Sequence, residues 1–165
     1  MTFGIICVSD RCSKGLCEDQ SGPMIREMLE AYGTDFHYLT VPDEKEEIAK
    51  ALLQLSDEKK ADVIFTTGGT GFAPRDVTPE ATLSVIEKAV PGIPEAIRYE
   101  SLKITKNAML SRAVAGIRGK SLIINLPGSP KAVKESLEIL LPVLPHAVKT
   151  LSGDTQSCGG NYGRR

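Results

Sequence analysis

The chain has 165 residues, a size suited to one domain, with 41% apolar and 25% charged residues, near the average for a folded globular protein. Twenty Lys and Arg against twenty-one Asp and Glu leave a formal charge of −1, so no basic excess draws the whole chain to nucleic acid or to an anionic membrane. No apolar run nears the ~18 residues of a membrane span, and the N-terminus lacks the basic flank and long apolar stretch of a signal peptide, so a cytoplasmic setting is expected.

Phe3–Ser9 is a continuous apolar run, the pattern of a strand buried on both faces. Ser21–Gly33 reads as a helix with Met24, Ile25, Met28, Leu29 and Tyr32 on one stripe. Phe36–Val41 is a second strand, and Asp43 opens a helix to about Lys59 with Ile48, Ala51, Leu52 and Leu55 inward. Asp62–Thr67 is a third strand ending in Gly68-Gly69-Thr70-Gly71. Thr78-Pro79 is an N-cap/N1 pair for a helix to about Ala89, Pro91–Pro94 breaks the chain, and short helical pieces are expected to follow to Lys106. Ala113–Ile117 and Ser121–Leu126 flank Arg118-Gly119-Lys120 as a hairpin. Ser129-Pro130 caps a last helix that Pro142 and Pro145 should split. Residues 1–152 form the domain, and 153–165 read as a polar C-terminal tail.

Strands alternating with helices imply an α/β fold, a mostly parallel sheet covered on both faces. Ligands of such sheets sit beyond the carboxyl ends of the strands. There this chain puts Ser9-Asp10, Pro42-Asp43, the glycine run with Asp76, and Asn125-Leu126-Pro127-Gly128-Ser129. Four strand ends bearing glycines, hydroxyls and carboxylates point to a site for a polar ligand.

Each residue type allows two readings. The Gly68–Gly71 loop is either a tight strand-to-helix turn or an anion-binding nest of backbone N–H groups. No Gly-Lys-Ser/Thr follows, so it is not a P-loop, and Pro74 stands where a dinucleotide fingerprint needs its third glycine. Asp43 is either the first residue of a capping box, Asp43-Glu44-Lys45-Glu46, or a Mg²⁺ ligand. Asp76 is either half of a surface pair with Arg75 or a second Mg²⁺ ligand. Ser21 reads as an N-cap or as part of a helix end facing an anion. Arg98, Lys103, Arg112 and Lys131 read first as solvated charges, and His37 and His146 as structural.

Cys7 reads as a small buried hydrophobe and Cys158 falls in the tail. Cys12 and Cys17 stand five apart, which does not fit zinc spacing. A disulfide between them is open on spacing but disfavoured in a reducing compartment.

Thr66-Thr67-Gly68-Gly69-Thr70-Gly71-Phe72-Ala73-Pro74-Arg75-Asp76-Val77-Thr78-Pro79-Glu80-Ala81-Thr82 resembles the signature of the molybdopterin adenylyltransferases of MogA/MoaB type, a family that includes the G domain of gephyrin. Val8-Ser9-Asp10, Val41-Pro42-Asp43-Glu44, Met109-Leu110-Ser111-Arg112 and Ile123-Ile124-Asn125-Leu126-Pro127-Gly128 match in the same order, over roughly 2–151.

The resemblance implies a three-layer αβα sandwich with one antiparallel hairpin. It implies transfer of AMP from ATP to the terminal phosphate of molybdopterin, with release of pyrophosphate and a requirement for Mg²⁺. By motif it makes Asp43 and Asp76 the catalytic and Mg²⁺-binding acids. Ser9 and Asp10 form the pocket floor, and Gly68, Gly69, Thr70 and Gly71 the ligand loop. Ser111, Asn125, Pro127 and Gly128 complete the binding site. It further implies a homotrimer, with hexamers in some relatives, and handover to a molybdate-inserting enzyme. Two rivals compete: a non-catalytic molybdopterin-binding or scaffold module, and a nucleotide hydrolase on the same architecture.

Overall fold

A computed structural model describes residues 1–153. The tail expected at 153–165 therefore lies, from residue 154 on, outside the described residues. The elements run β1 (Thr2–Val8), α1 (Asp10–Ser13), α2 (Ser21–Leu29), β2 (Asp35–Val41), α3 (Lys45–Leu53) and β3 (Val63–Thr67). There follow α4 (Thr78–Val85), β4 (Lys88–Ala89), α5 (Gly92–Leu102), β5 (Ala115–Arg118), β6 (Ser121–Leu126), α6 (Pro130–Leu140) and α7 (Leu144–Leu151).

The sheet order is β2-β1-β3-β6-β5-β4. Strands β2, β1, β3 and β6 are parallel, and β5 runs antiparallel to both β6 and β4. The β5–β6 hairpin matches the expected one. The two-residue β4 adds an antiparallel edge where a helix was expected to continue to Ala89. Helix α4 stops at Val85 because Ile86 turns to an extended conformation (ψ 149°), which delivers Lys88 and Ala89 to β5.

Period-two alternation splits the core in two. Phe3 and Ile5, Val63 and Phe65, and Leu122, Ile124 and Leu126 meet α2, α5, α6 and α7 on one face. Ile6 and Val8, Ile64 and Ile123 meet α3 and α4 on the other. The three-layer arrangement follows from that alternation, each fully buried Ile, Leu or Phe contributing about 1.5–3 kcal/mol.

Prolines set the helix boundaries. Pro91 is the N-cap residue of α5 and Pro94 lies in its first turn, so the segment expected to break forms an eleven-residue helix. Pro142 falls between α6 and α7, and Pro145 sits in the first turn of α7, splitting the last helix as expected. Ser129 caps α6 by accepting from the Ala132 N–H (3.3 Å).

Candidate functional site

The carboxyl ends of β1, β2, β3 and β6 come together along one edge, and the glycine loop after β3 lies at its middle. Gly68 has φ +91° and Gly69 φ +63°, a region that side chains rarely adopt. A Cβ on Gly68 would lie 2.5 Å from the Val8 carbonyl oxygen, so the loop rests directly on the end of β1. Thr78 fixes its other side. Its N–H donates to the Gly69 carbonyl (3.1 Å) and its hydroxyl to the Gly68 carbonyl (2.9 Å). Thr78 was expected to cap α4, but it is the first helical residue and its hydroxyl serves the loop instead.

Asp43 and Asp76 reach this loop from two sides. Asp43 Oδ1 lies 3.3 Å from where a Gly69 Cβ would be, and Asp76 Oδ2 lies 2.9 Å from the Gly71 counterpart. The capping box does not form, since Glu44 is the N-cap residue of α3 and no side chain caps it. Asp43 Oδ2 instead accepts from the Asp10 N–H (2.8 Å), while Asp10 Oδ1 accepts from the Asp43 N–H (3.2 Å). Burial pushes the Asp43 carboxyl above the usual range, and the charges of Asp10 and Asp76 push it further.

The expected pairing of Arg75 with Asp76 does not occur. Asp76 Oδ2 accepts from the Ala73 N–H (2.9 Å), which folds the loop on itself. Arg75 crosses to Asp10 and Glu44.

Two cavities, each of about 280 Å³, flank the loop. The first is lined by Cys7, Ser9, Cys12, Asp19, Ser21, Thr67, Gly68 and Gly128. Ser9 holds α1 by accepting from the Cys12 N–H (3.2 Å). Gln20 is the N-cap residue of α2, and Asp19 before it, not Ser21, accepts from the Ser21 and Gly22 N–H groups (2.9 and 2.8 Å). The Ser21 hydroxyl donates to the Gly128 carbonyl (3.1 Å) and so ties α2 to the end of β6. The second cavity is lined by Thr70, Gly71, Ile97, Arg98, Ser111, Ala113, Asn125 and Pro127.

Asn125 is 1% exposed and its amide is already engaged. It donates to the hydroxyls of Thr66 (2.9 Å) and Thr82 (2.8 Å) and accepts from the Val114 N–H (3.2 Å). Its geometry suits holding β6 to β3, α4 and the entry to β5 rather than contacting a ligand directly.

Two cations read from sequence as solvated charges are anchors. Arg98 donates to the Ser111 and Ala113 carbonyls (3.3 and 3.0 Å), fixing the segment that carries Ser111. Arg112 donates from Nε to the Gly71 carbonyl (2.7 Å), from Nη2 to the Asp76 carbonyl, and pairs with Glu80. The signal for Arg112 was present in the Met109–Arg112 run. Lys103 pairs with Glu100 and Lys131 with Glu135, as surface charges do. His37 sits in β2 opposite Gly4 and His146 in α7, both away from this edge.

Cys12 and Cys17 are joined as a disulfide, against the expectation of free thiols. The turn between them, wound by Gly15 at φ +69°, brings their Cα atoms to 4.8 Å. Cys7 is free and buried, and burial with the Asp19 charge pushes its thiol up to about 11. At pH 8 about one Cys7 in a thousand is then thiolate. Alkylation of the folded, unreduced chain should spare Cys7, Cys12 and Cys17, denaturation alone should add Cys7, and reduction should add the other two. Labelling of Cys12 or Cys17 before reduction, read by peptide mass, would count against the pairing.

Among the described residues, no three His, Cys, Asp or Glu side chains group as a metal cage. Two carboxylates beside a glycine loop nevertheless fit Mg²⁺, which usually takes one or two protein carboxylates and completes its shell with waters and phosphate oxygens. The raised Asp43 carboxyl marks negative charge crowded where a cation would relieve it. No helix of the described residues is long and apolar enough to cross a membrane.

Residues 4–146 match the family model described as a probable molybdopterin binding domain. The chain is 49% identical over 155 residues to a molybdopterin adenylyltransferase of Helicobacter pylori, covering 92% of this chain and 88% of that one. It is 45% identical over 141 residues to the Escherichia coli K12 protein of the same name, covering 84% and 72%. Its fold is similar to the crystal structure of the molybdopterin biosynthesis enzyme MoaB from Thermus thermophilus, with a TM-score of 0.84, 48% identity, and coverage of 92% and 96%. With residues 4–146 matched by the family model and relatives at 45–49% identity covering most of the chain, the chain belongs to the molybdopterin-binding domain family of molybdenum cofactor biosynthesis.

Proposed function

We propose that this chain is a molybdopterin adenylyltransferase, moving AMP from ATP to the terminal phosphate of molybdopterin and releasing pyrophosphate. The observation that carries the reading is the meeting of Asp43 and Asp76 at one glycine loop between two cavities, a layout for two phosphorylated substrates.

The nucleophile of such a reaction is a phosphomonoester with a second pKa of ~6, already mostly a dianion at pH 7. No side chain has to deprotonate it, so the remote positions of His37 and His146 cost the reaction nothing. The protein's work is positioning and charge neutralisation around the α-phosphate. In this reading the backbone N–H groups of Gly68, Gly69, Thr70 and Gly71 bind phosphate oxygens and Ser9 lines the first cavity, whereas Asp10, expected at the pocket floor, lines neither cavity and has its carboxylate taken up by Arg75 and the Asp43 N–H. Ser111 and Pro127 line the second cavity, Gly128 borders the first, and Asn125 keeps β6 in register with them. Asp43 and Asp76 would hold Mg²⁺ together with ATP oxygens and water, and the ion supplies charge neutralisation of the departing pyrophosphate.

The remaining parts of the reading are a cytoplasmic setting, supported by ATP as co-substrate, and a homotrimer, with a hexamer as the larger form. Exposed apolar side chains support that self-association: Tyr99 on α5 and Ile104 and Met109 in the segment after it are 66%, 57% and 61% exposed. Handover of the adenylylated pterin to a molybdate-inserting enzyme follows from the product's chemistry. Residues 1–152 carry the activity in this reading.

The test is pyrophosphate release by the purified chain with ATP, Mg²⁺ and molybdopterin. Release should require the pterin and match adenylyl-molybdopterin formed mole for mole. Equal turnover of ATP without pterin identifies a nucleotide hydrolase instead, and binding of the pterin without release identifies a binding module.

A further inference from the structure

Arg75 sits in the loop between Gly71 and Asp76, yet its side chain leaves that loop. Nε donates to Asp10 Oδ2 (2.9 Å) and Nη2 to Asp10 Oδ1 (2.8 Å), a two-pronged fork on one carboxylate. Nη1 donates to Glu44 Oε1 (2.7 Å), beside Asp43. Asp10 in turn holds Asp43 through its own N–H. One guanidinium thus links the loop of Asp76, the end of β1 and the start of α3.

The same edge holds Asp10, Asp43, Glu44 and Asp76, four carboxylates where a triphosphate has to approach. Like charges so placed repel an anionic ligand and each other. We infer that Arg75 is a positioning residue, which neutralises Asp10 and tethers the Asp76 loop to Asp43 so that the edge accepts a nucleotide's phosphates. The inference rests on the nucleotide reading above, and extends it to a residue that touches neither reacting atom. A lysine cannot replace the fork, because an ammonium has no planar pair of donors.

The experiment measures ATP binding to the full-length chain by calorimetry with Mg²⁺, beside kcat and KM for AMP transfer. Arg75 and Asp10 are partly exposed (side chains 52% and 32%), so the charge is partly screened. Arg75→Gln should weaken ATP binding about tenfold while the melting temperature stays within a few degrees. The double variant Arg75→Gln/Asp10→Asn should bind ATP within about threefold of the unmodified chain. Asp10→Asn keeps an acceptor for the Asp43 N–H but leaves no orphaned charge.

Arg75→Lys, which keeps the charge, should bind ATP nearly normally but lose about tenfold in kcat, because the tether is gone. That split carries the test if Arg75→Gln fails to fold. ATP affinity unchanged in Arg75→Gln, a double variant as weak as the single one, or kcat unchanged in Arg75→Lys each overturns the inference. Failure of the unmodified chain to bind ATP or release pyrophosphate sinks the activity reading instead, so the two failures are told apart.

Discussion

Asp43→Asn and Asp76→Asn each lower the rate of AMP transfer at saturating ATP and Mg²⁺ by about 10³-fold, the loss common when a preorganised charge at a transferring phosphoryl group is removed. The amide is nearly the same size, so what disappears is charge. In Asp43→Asn the side-chain carbonyl still accepts from the Asp10 N–H, and in Asp76→Asn it still accepts from the Ala73 N–H. The folded state therefore persists, and thermal unfolding should move by only a few degrees in either variant. For Asp43 the shift is expected upward. Its carboxyl is held above its ordinary pKa by burial and by Asp10 and Asp76, so its ionised form costs stability at pH 7 that a neutral amide does not. Steady-state pyrophosphate release checks the rate, and a melting scan checks the fold. Full Mg²⁺-dependent transfer by either variant removes that residue from the metal-binding role assigned to it.

The parallel sheet was readable because it is buried on both faces, which leaves unbroken runs such as Phe3–Val8 and Val63–Thr67. The hairpin at Gly119 and the split at Pro142 were readable because local turn chemistry decides them. The meeting of Asp43 and Asp76 at the glycine loop was readable from strand-end logic alone, since parallel crossovers deliver those ends to one edge.

Side-chain partners were less legible, because they depend on distances that no spacing encodes. Asp43, Thr78 and Ser21 all read from sequence as helix caps, yet none is the N-cap residue of its helix. Each spends its side chain on a neighbouring loop instead: Asp43 on Asp10, Thr78 on Gly68, Ser21 on Gly128. Arg75 reaches Asp10 across 65 positions of sequence and ignores its neighbour Asp76. Local propensity states which partner is near in the chain, while the sheet order decides which is near in space. Helix α5 was hidden by a different effect. Pro91 and Pro94 look like breakers by composition, yet at the N-cap and in the first turn the missing N–H groups have no helical partner to lose.

Asn125→Ala should cost stability heavily before it costs binding. The substitution strands the hydroxyls of Thr66 and Thr82, both 0% exposed, and the N–H of Val114, while opening a void in the middle of the sheet edge. Buried groups left unsatisfied cost about 1–3 kcal/mol each, although a hydroxyl that rotates to another acceptor recovers part. Thr82 has such an acceptor, since its hydroxyl already donates to the Thr78 carbonyl (2.9 Å). A net loss of about 3 kcal/mol is expected, which lowers the melting temperature by roughly 10 °C in a chain of this size. Asn125→Asp is the discriminating companion. It keeps an acceptor for Val114 but replaces the amide donor with a buried charge, so it should be at least as damaging as alanine. If Asn125 instead served chiefly to contact ligand, both variants would melt like the unmodified chain and show only a raised KM. Melting curves measured beside KM for molybdopterin and ATP separate the two roles. A normal melting temperature with weakened binding would overturn the assignment of Asn125 to the frame of the site.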